Sequence, residues 1–137
     1  MGYDGGMSFD VPTTLAITEL CAGLFGRDNG VQIDMTSAIG QKLMTPIVGP
    51  TGTLAHRLLL TEFLDSDCHL GDLAGLLGVT GVNGTITRAI HRLCMFGFAR
   101  LDHNQLGVVR HAGLRAKELA RLHPVLVDHY LAAAQAA

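Results

Sequence analysis

The chain has 137 residues and a net charge of −2, with 48% hydrophobic and only 16% charged side chains and no Trp. That length fits one domain with an extension, and the apolar content suffices for a core. No run approaches the ~20 apolar residues of a membrane span, and 5% aromatic content leaves little for a platform on which single strands stack.

Residues 1–9 are glycine-rich and read as a flexible N-terminus. MGYDGGMSFD has no basic region followed by an apolar one, and Gly6 stands where a myristoylation signal needs Ser or Thr, so a cytoplasmic location is expected. Asp10 and Pro12 mark a helix start, with Leu15, Ile17, Leu20, Cys21, Leu24 and Phe25 as its apolar content. Gly26 to Gly30, GRDNG, reads as a turn. Val31, Ile33 and Met35 alternate with Gln32, Asp34 and Thr36, which predicts a half-buried strand. Ser37 to Leu43 fits one or two helical turns, and Pro46 to Gly52 is a break, so 10–48 reads as a helical and strand extension. Thr51 or Thr53 caps a helix that runs to about Leu64, with Leu54 and Leu58 facing the core and Asp65-Ser66-Asp67 ending it.

The stretch from Leu70 to Arg110 carries the clearest pattern. Leu70, Leu73, Ala74 and Leu77 fall on one face of a short helix, and Gly78 is placed to stop it. A turn through Gly81 and Val82 leads to Asn83, an acceptable N-cap. A second helix turns Ile86, Ala89, Ile90 and Leu93 inward and Thr85, Thr87, Arg88, His91 and Arg92 to the other face, with Gly97 at its end. Phe98–Leu101 and Leu106–Arg110 then flank the polar turn Asp102 to Gln105, a two-stranded hairpin pattern. Gly113 to Leu122 reads as a helix, and Pro124 starts a last one to about Ala134, with Leu126, Tyr130 and Leu131 apolar. The expected fold class is mainly α with a small β-hairpin, an α+β chain.

Two helices joined by a tight turn, the second exposing Thr, Arg and His, have the helix-turn-helix layout. With the hairpin as a wing, this stretch resembles the winged helix-turn-helix DNA-binding superfamily. More narrowly, PIVGPTGTLAHRLL, DLAGLLGV, ITRAIHRLCMFGFARL and LGVVR resemble a group of small winged-helix proteins of actinobacteria and their phages. In that group a GPT tripeptide precedes the first helix and an RAxxRLxxFGxAR run ends the recognition helix. Gly49, Pro50, Thr51, Arg88, Ala89, Arg92, Leu93, Phe96, Gly97, Ala99 and Arg100 match, over about half the chain. Residues 1–45 have no counterpart, and the proline-rich tail of the group is missing after Arg110.

The resemblance implies a winged-helix domain over 49–112, with a very short strand at Cys68-His69 that pairs with the hairpin. It also implies terminal helices over 113–137 that form a homodimer interface. As function it implies a sequence-specific, double-stranded-DNA-binding transcriptional regulator of phage or actinobacterial type. Thr85, Thr87, Arg88 and His91 would face the major groove, and Arg92 a base or the adjacent phosphate. Arg100 and Arg110 would supply non-specific affinity from the wing, and His103 and Asn104 hydrogen bonds to phosphate. Two alternatives are a winged-helix adaptor that binds a host machine such as RNA polymerase, and an accessory DNA-binding factor of replication or recombination.

Charge distribution bears on these readings. Residues 1–87 carry −6 and residues 88–137 carry +4, so the sign changes at the proposed recognition helix. Phosphate contact needs local positive charge, which a negative total does not preclude. Catalytic signatures such as GxSxG, HExxH and the P-loop are absent, and no enzyme activity or cofactor is expected. Cys21, Cys68 and Cys94 are widely spaced, read as reduced, partly buried thiols. His91 and Cys94, with Cys68-His69, have ligand chemistry but lack the close cysteine pairs of structural zinc sites, so no metal is expected.

Overall fold

The computed structural model describes residues 10–21, 27, 30–79 and 84–136. Its elements in chain order are β1 (Thr14–Leu20), β2 (Ile33–Asp34), α1 (Ala38–Glu62), β3 (Asp67–His69), α2 (Leu70–Leu77), α3 (Thr85–Met95), β4 (Ala99–Asp102), β5 (Gln105–Val109), β6 (His111–Ala112), α4 (Ala116–Leu119) and α5 (Pro124–Ala136). The chain is of mixed α+β class, helices predominating over small sheets.

The middle of the chain follows its sequence pattern. α2 has the expected bounds and buries Leu70, Leu73 and Ala74. α3 buries Ile86, Ala89, Ile90 and Leu93, the i, i+3, i+4, i+7 stripe. Both helices end at a left-handed glycine, Gly78 at φ 74 and Gly97 at φ 80. After α3, Phe98 N–H donates to the Leu93 carbonyl (2.8 Å) and Gly97 N–H to that of Cys94 (3.2 Å), pairing carbonyls that the helix end leaves open. The N-cap of α3 is Gly84, with no side-chain cap, and the expected turn through Gly81 and Val82 to Asn83 lies outside the described residues. β4 and β5 pair from Ala99↔Val108 to Asp102↔Gln105. Asp102 and Gln105 thus close the ladder, and the turn itself is His103-Asn104, with His103 at φ 56.

Leu93 is fully buried between α3 and the core. Leu93→Ala is expected to destabilise by about 2–5 kcal/mol, the cost of a buried leucine truncation that leaves a cavity. Urea unfolding checks it, and a wild-type midpoint would contradict the assigned face.

The N-terminal segment departs from expectation. The predicted helix from Asp10 is the strand β1, in which Leu15 and Ile17 are buried while Thr14, Thr18 and Glu19 are exposed. Its period is two, and its Thr and Ile are β-branched, which suits a pleated surface. β1 runs parallel to β5, Ala16↔Gln105 through Leu20↔Val109, and antiparallel to β3, Thr14↔His69 to Ala16↔Asp67. The sheet order is therefore β3-β1-β5-β4. The short strand at Cys68-His69 exists, but it pairs with β1 and not with the hairpin, because β1 occupies the hairpin's inner edge. β2 covers only Ile33–Asp34, paired with β6, and Met35 is buried in the turn that follows.

The expected break from Pro46 to Gly52 narrows to one residue. α1 passes through Pro46 and is interrupted at Gly49, at φ 84 and ψ 165, a conformation that side-chain-bearing residues rarely adopt. It resumes at Pro50, which suits a first helical position because it has no N–H to leave unpaired. Gly49 occupies the cap position expected of Thr51 or Thr53, and the Thr53 hydroxyl donates back to the Gly49 carbonyl at 2.8 Å. The second half of α1 buries Ala55, His56, Leu59 and Leu60, whereas Leu54 is 46% exposed and Leu58 half-buried. The predicted core face is thus rotated, with His56 at its centre.

The predicted helix from Gly113 to Leu122 shrinks to the single turn α4. Gly113 and Leu114 are instead held by long-range bonds, Gly113 N–H to the Arg27 carbonyl (3.0 Å) and Leu114 N–H to the Tyr130 hydroxyl (3.1 Å). α5 follows from Pro124 as expected and buries Tyr130, while Leu131 is 50% exposed. One core cluster takes residues from β1, α1, α2, α3, the hairpin and α5, and the expected boundary at 48/49 falls at the break in α1.

Candidate nucleic-acid interface

The outward face of α3 is polar because its inward stripe takes all the aliphatic side chains. Arg88 and Arg92 are exposed, and Thr85, Thr87 and His91 are half-buried. Thr87 returns its hydroxyl to the Gly84 carbonyl at 3.1 Å. Met95 also lies on this face, 58% exposed.

Arg92 stands on the expected face, but its head group bends back to α1. Nε donates to the Val48 carbonyl (3.1 Å) and Nη2 to the Ile47 carbonyl (3.2 Å), the last carbonyls before the Gly49 break. This contact satisfies acceptors that the interrupted helix leaves without partners and fixes the guanidinium in place. The Arg88 guanidinium has no hydrogen-bond or ion-pair partner among the described residues. Both arginines line a cleft of about 290 Å³. Its walls are Val48, Gly49, Pro50, Thr51 and Gly52 from the α1 break, and Thr85, Arg88, Ala89 and Arg92 from α3. The GPT tripeptide and Arg88 and Arg92 of α3, far apart in sequence, therefore form one surface. An adjoining depression is lined by Arg92, Arg121 and Glu118, the last of these paired with Arg27.

The residues expected to act from the hairpin divide. Arg100 is exposed on β4, with no ion pair among the described residues. His103 and Asn104 are exposed at the hairpin tip, where Asp102 stands 3.7 Å from His103 Nε2. Arg110 is committed elsewhere: Nε donates to Glu19 Oε1 (3.1 Å) and Nη2 to the Leu60 carbonyl (3.4 Å). Its charge is thereby largely compensated within the protein, and Arg100 and Arg110 are not equivalent as expected from their flanking positions.

Behind the interface lies a polar cluster that sequence reasoning missed. Arg27, assigned to a surface turn, is fully buried. Its guanidinium donates to Glu118 Oε1 (2.8 Å) and Oε2 (2.6 Å), to the Phe96 carbonyl (2.6 Å) and to the Gly113 carbonyl (3.2 Å). It also stacks on the Phe98 ring at 3.9 Å. Burial raises the Glu118 pKa, but the hydrogen bonds from Arg27 and the Arg115 amide outweigh it and hold the carboxyl below its ordinary value. His56 packs edge-on to Phe98, and its Nε2–H donates to the Val109 carbonyl at 2.6 Å. Nothing in the spacing of these residues flags them, because Arg27 and Glu118 are 91 positions apart.

The thiols behave largely as expected. Burial pushes Cys68 and Cys94 up to about 11, whereas Cys21 is exposed. Among the described residues no three side chains group as metal ligands, and no helix is long and apolar enough to cross a membrane.

Taken together, the described residues define a mixed α+β chain with a basic helix face beside a cleft. No family model, curated protein or solved structure matches the chain.

Proposed function

We propose that the chain is a winged helix-turn-helix protein that binds double-stranded DNA sequence-specifically and regulates transcription. α2 and α3 form the helix-turn-helix, and β4 with β5 forms the wing. The observation that carries this reading is the face of α3: Ile86, Ala89, Ile90 and Leu93 are turned inward, so its Thr, His and Arg side chains are presented together, with Met95, beside a hairpin that carries Arg100. A helix of this kind fits a major groove, where Thr87 and His91 meet base edges and the arginines meet bases or phosphates. Val125 and Leu131, exposed on α5, suit the homodimer that the resemblance implies.

Selection of duplexes from a random pool by the full chain tests the reading and is expected to enrich one preferred sequence. His91→Ala then lowers affinity for that duplex by about 1–3 kcal/mol and leaves random duplexes nearly unchanged, as loss of a base contact does. A pool that stays random contradicts sequence specificity.

One observation favours the alternative of a protein-binding adaptor. Leu54 and Leu76, 46% and 57% exposed, share a groove with Leu58 and Leu77 between α1 and α2, edged by Arg57, Thr61 and Glu62. An adaptor would use this groove and bind no duplex at low salt.

A further inference from the structure

The cleft at the α1 break holds more polar capacity than the protein uses. Arg88 and Arg92 stand one helical turn apart on α3, a spacing at which like charges repel. Among the described residues no carboxylate lines the cleft to offset them. Arg92 is anchored by two of its nitrogens to the Ile47 and Val48 carbonyls, which fixes its third, Nη1, without neutralising the charge. The Arg88 guanidinium and the hydroxyls of Thr51 and Thr85, three residues that line the cleft, have no partner among the described residues. Two cations held together, one of them fixed, with hydroxyl donors around them and no acidic residue among the described lining, leave the counter-charge to a ligand. Arginine forks match the geometry of a tetrahedral oxyanion.

We propose that this cleft is a phosphate-binding subsite, in which Arg88 and Arg92 Nη1 donate to the oxygens of one phosphate group and Thr51 and Thr85 complete its shell. This rests on the DNA-binding reading, under which the phosphate is a backbone phosphodiester beside the groove that α3 enters. It also moves Arg88 from base readout to backbone contact. A free or terminal phosphate presents the same chemistry.

The test is a titration of the isotope-labelled full chain with inorganic phosphate at constant ionic strength, followed by the backbone amide resonances of Thr51, Gly52 and Thr85. A parallel arm uses a short random-sequence duplex. Saturable shifts confined to these amides are expected with phosphate. Arg88→Gln, which leaves the Arg92 anchor intact, should weaken them about tenfold. Shifts with phosphate but none with duplex would keep the subsite, name free phosphate as its ligand and remove the DNA reading. Shifts with duplex alone, lost in Arg88→Gln, would keep the subsite for a phosphodiester. Duplex binding that leaves these amides unmoved, with no response to phosphate, overturns the subsite and leaves the DNA reading standing. No response to either ligand overturns both.

Discussion

Arg27→Met is expected to lower the free energy of unfolding by about 3–5 kcal/mol, the usual cost of breaking a buried ion pair by removing one partner. Arg27 is fully buried and Glu118 nearly so, at side-chain exposures of 0% and 8%. Methionine replaces the stem of Arg27 but leaves the Glu118 carboxylate without its cation, and the Phe96 and Gly113 carbonyls lose their donors. The loss reaches α3, because Phe96 is its C-cap and the guanidinium ties that end to the segment before α4. The double variant Arg27→Met with Glu118→Leu is expected to recover much of the loss, since replacing a whole buried pair by apolar groups is often near neutral. Chemical denaturation of the three proteins checks this. Equal stabilities of the single variant and the wild type would show that the pair carries no net weight.

Acid is expected to weaken the fold through His56 before the carboxylates protonate. Burial is the main cause that pushes the His56 pKa from 6.5 to about 4, against the opposing effects of the Val109 hydrogen bond and the charge of Asp34. The folded value is the lower one, so the unfolded chain binds the proton more tightly. The contribution of neutral His56 is therefore fully present above pH 6.5 and is lost as pH falls from 6.5 toward 4. A difference of that size corresponds to about 3 kcal/mol. Glu118, whose carboxyl is held below 4.5, adds its own loss only at lower pH. His56→Gln keeps a donor for the Val109 carbonyl and removes the titration. The difference in unfolding free energy between wild type and His56→Gln, measured from pH 7.5 to 4, should shift in favour of the variant as pH falls. A difference that stays constant across that range would show that His56 takes up its proton without cost.

What was legible in the sequence was local. α2, α3 and the hairpin are each specified by apolar spacing and an end signal within about a dozen residues, and the buried stripes of both helices follow. β1 was not legible as a strand because its partner β5 lies far along the chain, and Leu15, Ile17 and Leu20 fit a helical count nearly as well as alternation. The rotated face of α1 depends on His56, a polar residue that becomes a core residue only through Phe98 and Val109. The site was half legible. The face that holds Arg88 and Arg92 followed from periodicity. The bending of Arg92 onto the α1 break, the commitment of Arg110 to Glu19 and the cleft itself are tertiary facts.

The most direct measurement is equilibrium binding of the full chain to a labelled duplex over a range of salt concentrations. A protein that places α3 in a groove and arginines on the backbone loses affinity linearly in the logarithm of salt, with a slope of about −0.9 for each phosphate neutralised. Arg88→Gln should make that slope shallower by about one. The absence of any duplex binding at low salt would contradict the DNA-binding reading and direct attention to the leucine-bearing groove of Leu54 and Leu76.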